Sequence, residues 1–261
     1  MSIVRQLIQL SIVEALRDQT MAGDCVFDSR MERISGLAEE QAVPVIVVSV
    51  ETADQSDQTP GGIGLLGRDT SLSVLIQTAV VTARKVKDDN GTVIRQGIGE
   101  TDAALEGALN ILDRQWRHVL HTPESEWAEV FRDLVLATHS VKDTRAADPD
   151  TKRKHAARFV QIDLDVLPDP LPGDELPEAI ERGLALMAAD PEYAELAADW
   201  RALLAKGRDW PEWRKLQSRL FATRKDMATI GLGPLDIDEL VPFTHARLNV
   251  RGMQPMEFGS D

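Results

Sequence analysis

The sequence predicts an α+β protein, in which helices pack on a mixed, largely antiparallel sheet and a mostly helical extension follows. Residues 43–50 (VPVIVVSV) form a short run rich in β-branched side chains, which is typical of a central, largely buried strand. Residues 158–167 alternate apolar with polar side chains, as a strand with one solvated face does in an antiparallel or mixed sheet. After the proline-rich segment 168–177, apolar residues recur at helical spacing. We therefore divide the chain into an α/β domain over 1–167 and a helical extension with a C-terminal arm over 168–261.

Composition places the chain among globular proteins, because 261 residues with a hydrophobic fraction of 43% are enough to bury a core. The formal net charge is −14, the opposite of the basic footprint that a free-standing nucleic-acid binder usually shows. Acidic groups repel phosphates, so this charge indicates either a soluble surface or a surface past which DNA slides without adhering.

The sequence also bears on the compartment. No stretch of about 18 uncharged apolar residues occurs, so we expect no membrane span. The N-terminus lacks the uninterrupted apolar centre of a secretory signal. Cys25 is the single cysteine, which excludes an internal disulfide or a cysteine-based zinc site. These features indicate the cytosol.

Each element is predicted from its own pattern. Apolar residues three and four apart indicate helices, and Ser2 and Thr101 are suitable N-caps. Clusters of glycine, proline and polar residues indicate connectors, the longest over 51–70 and 142–157. In chain order the predictions are a helix over 2–19, a turn into 26–30, strands over 43–50 and 71–83, a polar segment over 84–97, helices over 99–121 and 123–131, strands over 133–141 and 158–167, helices over 178–188, 191–206 and 211–227, and a short strand over 244–250.

The connector 51–70 contains a Gly-x-Gly-x-x-Gly pattern at Gly62, Gly64 and Gly67. A dinucleotide site needs these glycines to leave a strand directly and to open a helix, whose N-terminus then binds the pyrophosphate. Here they come well after one predicted strand and precede another. The pattern therefore favours a loop over a nucleotide site.

Three other groups of residues suggest chemistry. His118 and His121 lie one helical turn apart and could ligate one metal, but no third ligand is evident, which favours a role at the helix C-terminus. Asp163 and Asp165 share a strand face, which suits acid–base work or a divalent cation, although a solvated face gives the same pattern and is favoured. The basic residues 152–155 favour a solvated turn over a DNA contact. The sequence therefore predicts no catalytic, cofactor-binding or metal site.

The order of elements and the local sequence resemble one family, the tail terminator (tail completion) proteins of long-tailed bacteriophages. The layout is similar: helix, turn, strand, long loop, strand, helix and a closing antiparallel pair. The resemblance covers about residues 1–167 and is carried by Ala22–Arg30 (AGDCVFDSR), by Val43–Val47 (VPVIV) with the acidic exit Glu51-Thr52, and by Ala157–Leu164 (ARFVQIDL).

The resemblance implies a structural virion protein that forms a hexameric ring on top of the tail tube, in the neck of the virion. Such a ring ends tube polymerisation, contacts the major tail tube protein, and offers a surface to a head-completion or stopper protein. DNA passes through its channel without specific binding, and no cofactor is needed. Contacts between subunits are expected on the long loops, at Arg68, Asp69, Lys152, Arg153 and Lys154.

Two other functions stay open at this point. The first is a different neck component, such as a stopper or a head–tail adaptor, which the same composition would suit. The second is a soluble α/β nucleotide-binding enzyme that uses the glycine loop together with Asp163 or Asp165.

Overall fold

The computed structural model describes residues 2–30, 34, 43–56, 69–81, 84–87, 93–96, 101–122, 124–146, 155–232, 245–248 and 256–259. The chain forms two compact units, Met1–Trp210 and Pro211–Asp261.

A five-stranded sheet organises the first unit and confirms the predicted α+β fold. The strand order is β1-β2-β3-β7-β6. The pair β1–β2 is parallel and the other three pairs are antiparallel. The five strands are β1 Val26–Asp28, β2 Val45–Ser56, β3 Asp69–Val81, β6 Val135–Ala146 and β7 His155–Val166. A separate antiparallel hairpin consists of β4 Arg84–Lys87 and β5 Val93–Gln96.

Within the described residues, five helices belong to the first unit and two to the second. Those of the first unit are α1 Ile3–Leu16, α2 Asp102–His121, α3 Glu126–Leu134, α4 Glu178–Ala189 and α5 Ala194–Leu204. The second unit contains α6 Glu212–Arg219, α7 Arg224–Thr229 and the hairpin of β8 His245–Leu248 and β9 Met256–Gly259. None of the helices within the described ranges is long and apolar enough to cross a bilayer.

Side-chain caps fix where the main helices begin. Ser2 accepts a hydrogen bond from the Arg5 N–H at the start of α1. Thr101 accepts one from Ala104 at the start of α2, and Ser125 accepts one from Ala128 at the start of α3. Each bond satisfies a backbone donor that the first helical turn leaves unpaired. Both predicted N-caps are confirmed.

The helix α1 is buried on nearly every side. Even Gln9 and Ser11 are buried. The Ser11 hydroxyl donates to the Ile8 carbonyl at 2.9 Å, and the Gln9 amide donates to Asp28 and Ser29 at the end of β1. A helix with this burial lies inside the core rather than on its surface.

The two faces of the sheet differ. Helices α1 and α2 pack on one face, which contributes the main apolar cluster, including Ile46, Val74 and Ile162. The opposite face has a small apolar cluster at one end, including Val47 and Phe159. Its other end is polar and bears the two aspartates of β7. The alternation predicted for β7 is thus confirmed.

Several boundaries differ from the predictions. Strand β2 is largely buried but lies second in the sheet, and β3 is the central strand. Strands β2, β6 and β7 extend into segments predicted as loops, because ladder hydrogen bonds continue where the side chains become polar. The hairpin β4–β5 was predicted only as a polar segment with a turn. The single helix predicted over 211–227 is two helices, interrupted at Phe221, whose φ is 49°.

The helices α4 and α5 lie in the same compact unit as the sheet. Helix α4 packs against α1 and α3, and at Gly183 the Leu7 side chain approaches so closely that a Cβ would lie 2.7 Å from it. The Tyr193 hydroxyl donates to Glu14 of α1 at 2.7 Å. Burial raises the pKa of both Glu14 and Tyr193. These contacts tie the start of the helical region to the N-terminal helix.

Candidate assembly interface

Strand β6 forms one edge of the five-stranded sheet, and no described strand pairs with its outer side. It begins directly where α3 ends, with Val135 acting as the C-cap of that helix. The Leu167 N–H donates to the Leu134 carbonyl at 2.9 Å, which closes this junction against the end of β7. Helix α2 packs on β3 and β7 of the same sheet.

Two large apolar side chains of β6 are exposed. Leu136 is 62% exposed and Val141 is 46% exposed. An edge strand also directs half of its backbone N–H and C=O groups away from its own sheet, where another strand can bind them. The other edge of the sheet is β1, which has only 3 residues. The sheet therefore has one short edge and one long edge of 12 residues.

The two halves of β6 differ in regularity. Register shifts occur between Val135 and Ala137 and between Thr138 and Ser140. Such bulges bend an edge strand and interrupt its pairing. The regular edge therefore runs from Ser140 to Ala146, with Val141 at its start.

Ion pairs fix the charged side chains of this regular edge to their own subunit. Arg117 of α2 lies 2.8 Å from Asp143. Lys142 lies 3.5 Å from Asp163, and Arg145 lies 3.5 Å from Glu106. These side chains are directed across the sheet faces towards β7 or α2.

The polar end of the sheet face next to β6 is a network of hydrogen bonds around Asp163. The carboxylate accepts from the Ser140 hydroxyl at 2.6 Å, the Ser73 hydroxyl at 2.9 Å and the Gln161 amide at 3.0 Å. These bonds, the one from Ser140 foremost, hold the pKa of Asp163 far below its ordinary value, despite the opposing effect of burial.

Asp165 has a similar environment. It accepts from the Ser71 hydroxyl at 2.7 Å and lies 2.5 Å from His139 Nε2. The Ser71 bond is the main cause of the lowered pKa of Asp165. A carboxylate held in its ionised form by several donors is a weak general base, since it gains little from taking up a proton. The geometry of both aspartates suits cross-strand bonding between β3, β6 and β7 rather than acid–base work.

A second polar network lies on the helical face, and sequence reasoning missed it. Arg158 of β7 reaches α2, where it pairs with the buried Asp113 and lies 2.7 Å from Glu106. Asp113 also accepts from the Trp116 indole at 3.2 Å and from the Thr78 hydroxyl at 3.3 Å. The network joins α2 to the two strands beneath it and so orients the helix that stands beside β6.

The residues predicted to make subunit contacts can be placed only in part. Arg68, Lys152, Arg153 and Lys154 lie outside the described residues, as do the glycines of the connector 57–68. Asp69 is the first residue of β3, where it pairs with Ser56. These predictions stay predictions.

The histidine pair is placed by the structure. His118 and His121 lie in the last turn of α2, where the His118 carbonyl accepts from the Thr122 N–H. Among the described residues, no three His, Cys, Asp or Glu side chains converge in a way that could hold a metal ion.

Comparison with protein-family models and with curated protein sequences found no match to this chain.

Proposed function

We propose that this protein is a structural subunit of a phage neck, a tail terminator that forms a ring at the head-proximal end of the tail tube. The ring ends tube polymerisation and joins the tail to a head-completion or stopper protein. The single observation that carries the proposal is the long edge strand β6, with whose outer side no strand of the described residues pairs, opposite the three-residue edge β1. A subunit whose two sides differ in this way is suited to assembly through its edge.

Ring assembly needs a heterologous contact, in which one surface of each copy binds a different surface of the next. The regular part of β6 offers backbone donors and acceptors together with the exposed Val141. The rotation between neighbouring copies that closes the ring determines which surface of the next copy binds to β6. The resemblance over residues 1–167 gives about six copies as the expected number.

The charge of the chain supports a position around passing DNA. A net charge of −14 per copy gives a ring a strongly acidic character, and phosphates do not adhere to such a surface. The chemistry of the described residues supports an assembly role over an enzyme. The best-placed carboxylates, Asp163 and Asp165, have their oxygens bound by neighbouring side chains.

The test is capping of tail tubes by variants of β6. Purified major tail tube protein from the same phage is allowed to polymerise with this protein present, and tube lengths are measured by electron microscopy. Wild-type protein should give short tubes with a ring at one end. Val141→Glu places a charge on the exposed edge without disturbing the core, so it should give long, open tubes. The matched control is Ile111→Glu on α2, which is 56% exposed and should cap like the wild type.

Three outcomes contradict the proposal: wild-type protein that leaves tube length unchanged, rings located at the opposite end of the tube, or Val141→Glu that caps as well as Ile111→Glu. A ring found between tube-bound protein and head connector, but not touching the tube, would assign the protein to another neck position.

A further inference from the structure

An exposed apolar stripe runs along α5. Leu196 is 36% exposed and Leu203, two turns later, is 52% exposed. Trp200 lies between them and is partly buried against the main core, while Ala197 on the inner side is fully buried. Residues spaced in this way share one side of a helix, so the stripe is a continuous apolar surface.

An apolar groove adjoins the stripe. It is lined by Ile3, by the loop 169–172 and by Trp200, Leu203 and Leu204, with a volume of about 220 Å³. Trp200 and Leu203 belong both to the stripe and to the groove lining, so a side chain that packs on the stripe lies next to the groove. A groove of this size holds one or two aliphatic side chains. The stripe and the groove together form a docking surface on one helix and one loop.

Charged side chains flank the stripe on its exposed side. At about 100° per residue, Glu195 and Asp199 lie on the same side of Leu196 and Leu203, and Lys206 follows in the turn after the helix ends. All three are exposed, and within the described part of the chain none of them has an ion-pair partner. The acidic pair lies towards the N-terminal end of the helix and the lysine lies just after its C-terminal end.

This arrangement is self-complementary. When two copies of α5 pack antiparallel about a two-fold axis between Asp199 and Trp200, Leu196 of each copy lies against Leu203 of the other. The same operation places Glu195 of each copy at the level of Leu204 of the other, two residues before Lys206. The two long side chains can bridge that offset, so two ion pairs flank the apolar contact. An isologous contact repeats every interaction twice, which is why one short helix can specify it.

We propose that α5 is a two-fold docking surface for a second copy of this chain, held by the Leu196–Leu203 contact and by the Glu195–Lys206 ion pairs. The contact is separate from β6 and does not depend on the proposed ring. Where rings form, the two-fold contact joins two rings face to face. A single three-turn helix and a loop bury less surface than a standard interface of about 800 Å² per partner, so the association is weak.

The experiment is sedimentation velocity of the full chain, from a few micromolar to about 0.5 mM, where weak interfaces become occupied. It is run on wild-type protein and in the Val141→Glu background, which separates pairing through α5 from assembly through β6. Glu195→Lys alone and Lys206→Glu alone should each weaken the association about tenfold, because each creates two like-charge contacts. The double variant should restore it. An equimolar mixture of the two single variants should also associate, since a two-fold contact then pairs opposite charges.

Neutral variants supply the sharpest control. The axis brings the two Asp199 side chains close together, so Asp199→Asn should tighten the association a few-fold, whereas Glu195→Gln should loosen it a few-fold. Glu181→Lys, an exposed charge reversal on α4, should change nothing. Absence of association up to 0.5 mM in wild-type protein overturns the proposal, and so does association that the double variant fails to restore. In wild-type protein, rings that form without pairing refute the α5 contact alone, and pairing without rings refutes the β6 contact alone.

Discussion

Substituting Gly183 by alanine measures how tightly α4 packs on the rest of the first unit. The added Cβ would lie 2.7 Å from Leu7 Cδ2 and 3.3 Å from Val130 Cγ1. Both neighbours are fully buried, so they have little room to move. Overpacking of this kind costs about 1–3 kcal/mol, while the helix propensity of alanine returns about 1 kcal/mol. We expect the free energy of unfolding to fall by about 1 kcal/mol.

The matched control is Gly107→Ala in the interior of α2. No atom lies within 4 Å of the Cβ that this substitution adds. Only the propensity gain of about 1 kcal/mol then remains, so this variant should be more stable than the wild type. The same chemical change should therefore act in opposite directions at the two positions.

Urea unfolding of the two variants and the wild type, followed by circular dichroism, gives the comparison. The difference between the two variants should be about 2 kcal/mol, and their denaturant slopes should match that of the wild type. Equal stabilisation at both positions would refute the packing of α4 against α1 and α3. That result would instead support a division of the chain near residue 167.

Two further predictions concern the polar networks. Arg158→Ala should lower the free energy of unfolding by about 3 kcal/mol, because it leaves the buried Asp113 without its cation. The control is Arg182→Ala, which removes an arginine bound to three surface carboxylates and should lower the free energy of unfolding by less than about 1 kcal/mol. If urea unfolding shows equal losses for Arg158→Ala and Arg182→Ala, the buried network is contradicted. The pKa of Asp163 is lower in the folded protein than in the unfolded chain, so as pH falls the unfolded chain binds a proton at this carboxylate before the folded protein does. The stabilisation is therefore present above the ordinary value of about 3.9 and is lost as pH falls through the folded-state pKa. Asp163→Asn should therefore flatten the decline of melting temperature below about pH 4, and an unchanged decline would show that this carboxylate does not drive it.

Some of the fold was predictable because local pattern and final environment agree. The alternation in 158–167 gave the strand β7 and its buried face, since one face of that strand lies against helices and the other against solvent. The β-branched run in 43–50 predicted β2, whose residues from Val45 to Val48 are buried on both faces of the sheet. Both predictions depend only on neighbouring residues.

The failures arise where a distant partner decides the outcome. The second half of β6 contains Lys142, Asp143 and Arg145, so its sequence favours a loop. It is a strand because β7 continues beside it and supplies hydrogen bonds regardless of side-chain polarity. Local sequence could not predict the network of Arg158 either, because its partner Asp113 lies 45 residues earlier in the chain.

The candidate interface was even less accessible from sequence. Which strand lies on an edge depends on the order of pairing across the whole sheet, and the exposure of Val141 follows from that order. The long loops were a reasonable expectation for subunit contacts because loops vary and protrude. The structure adds a different surface, a strand edge formed by regular backbone.

The mass of the assembly in dilute solution tests the central claim most directly. Light scattering of wild-type protein should give a closed particle of about six times the 28.8 kDa chain, and Val141→Glu should reduce it to smaller species. Wild-type protein that stays at 28.8 kDa at every concentration, with Val141→Glu indistinguishable from it, would contradict assembly through the sheet edge.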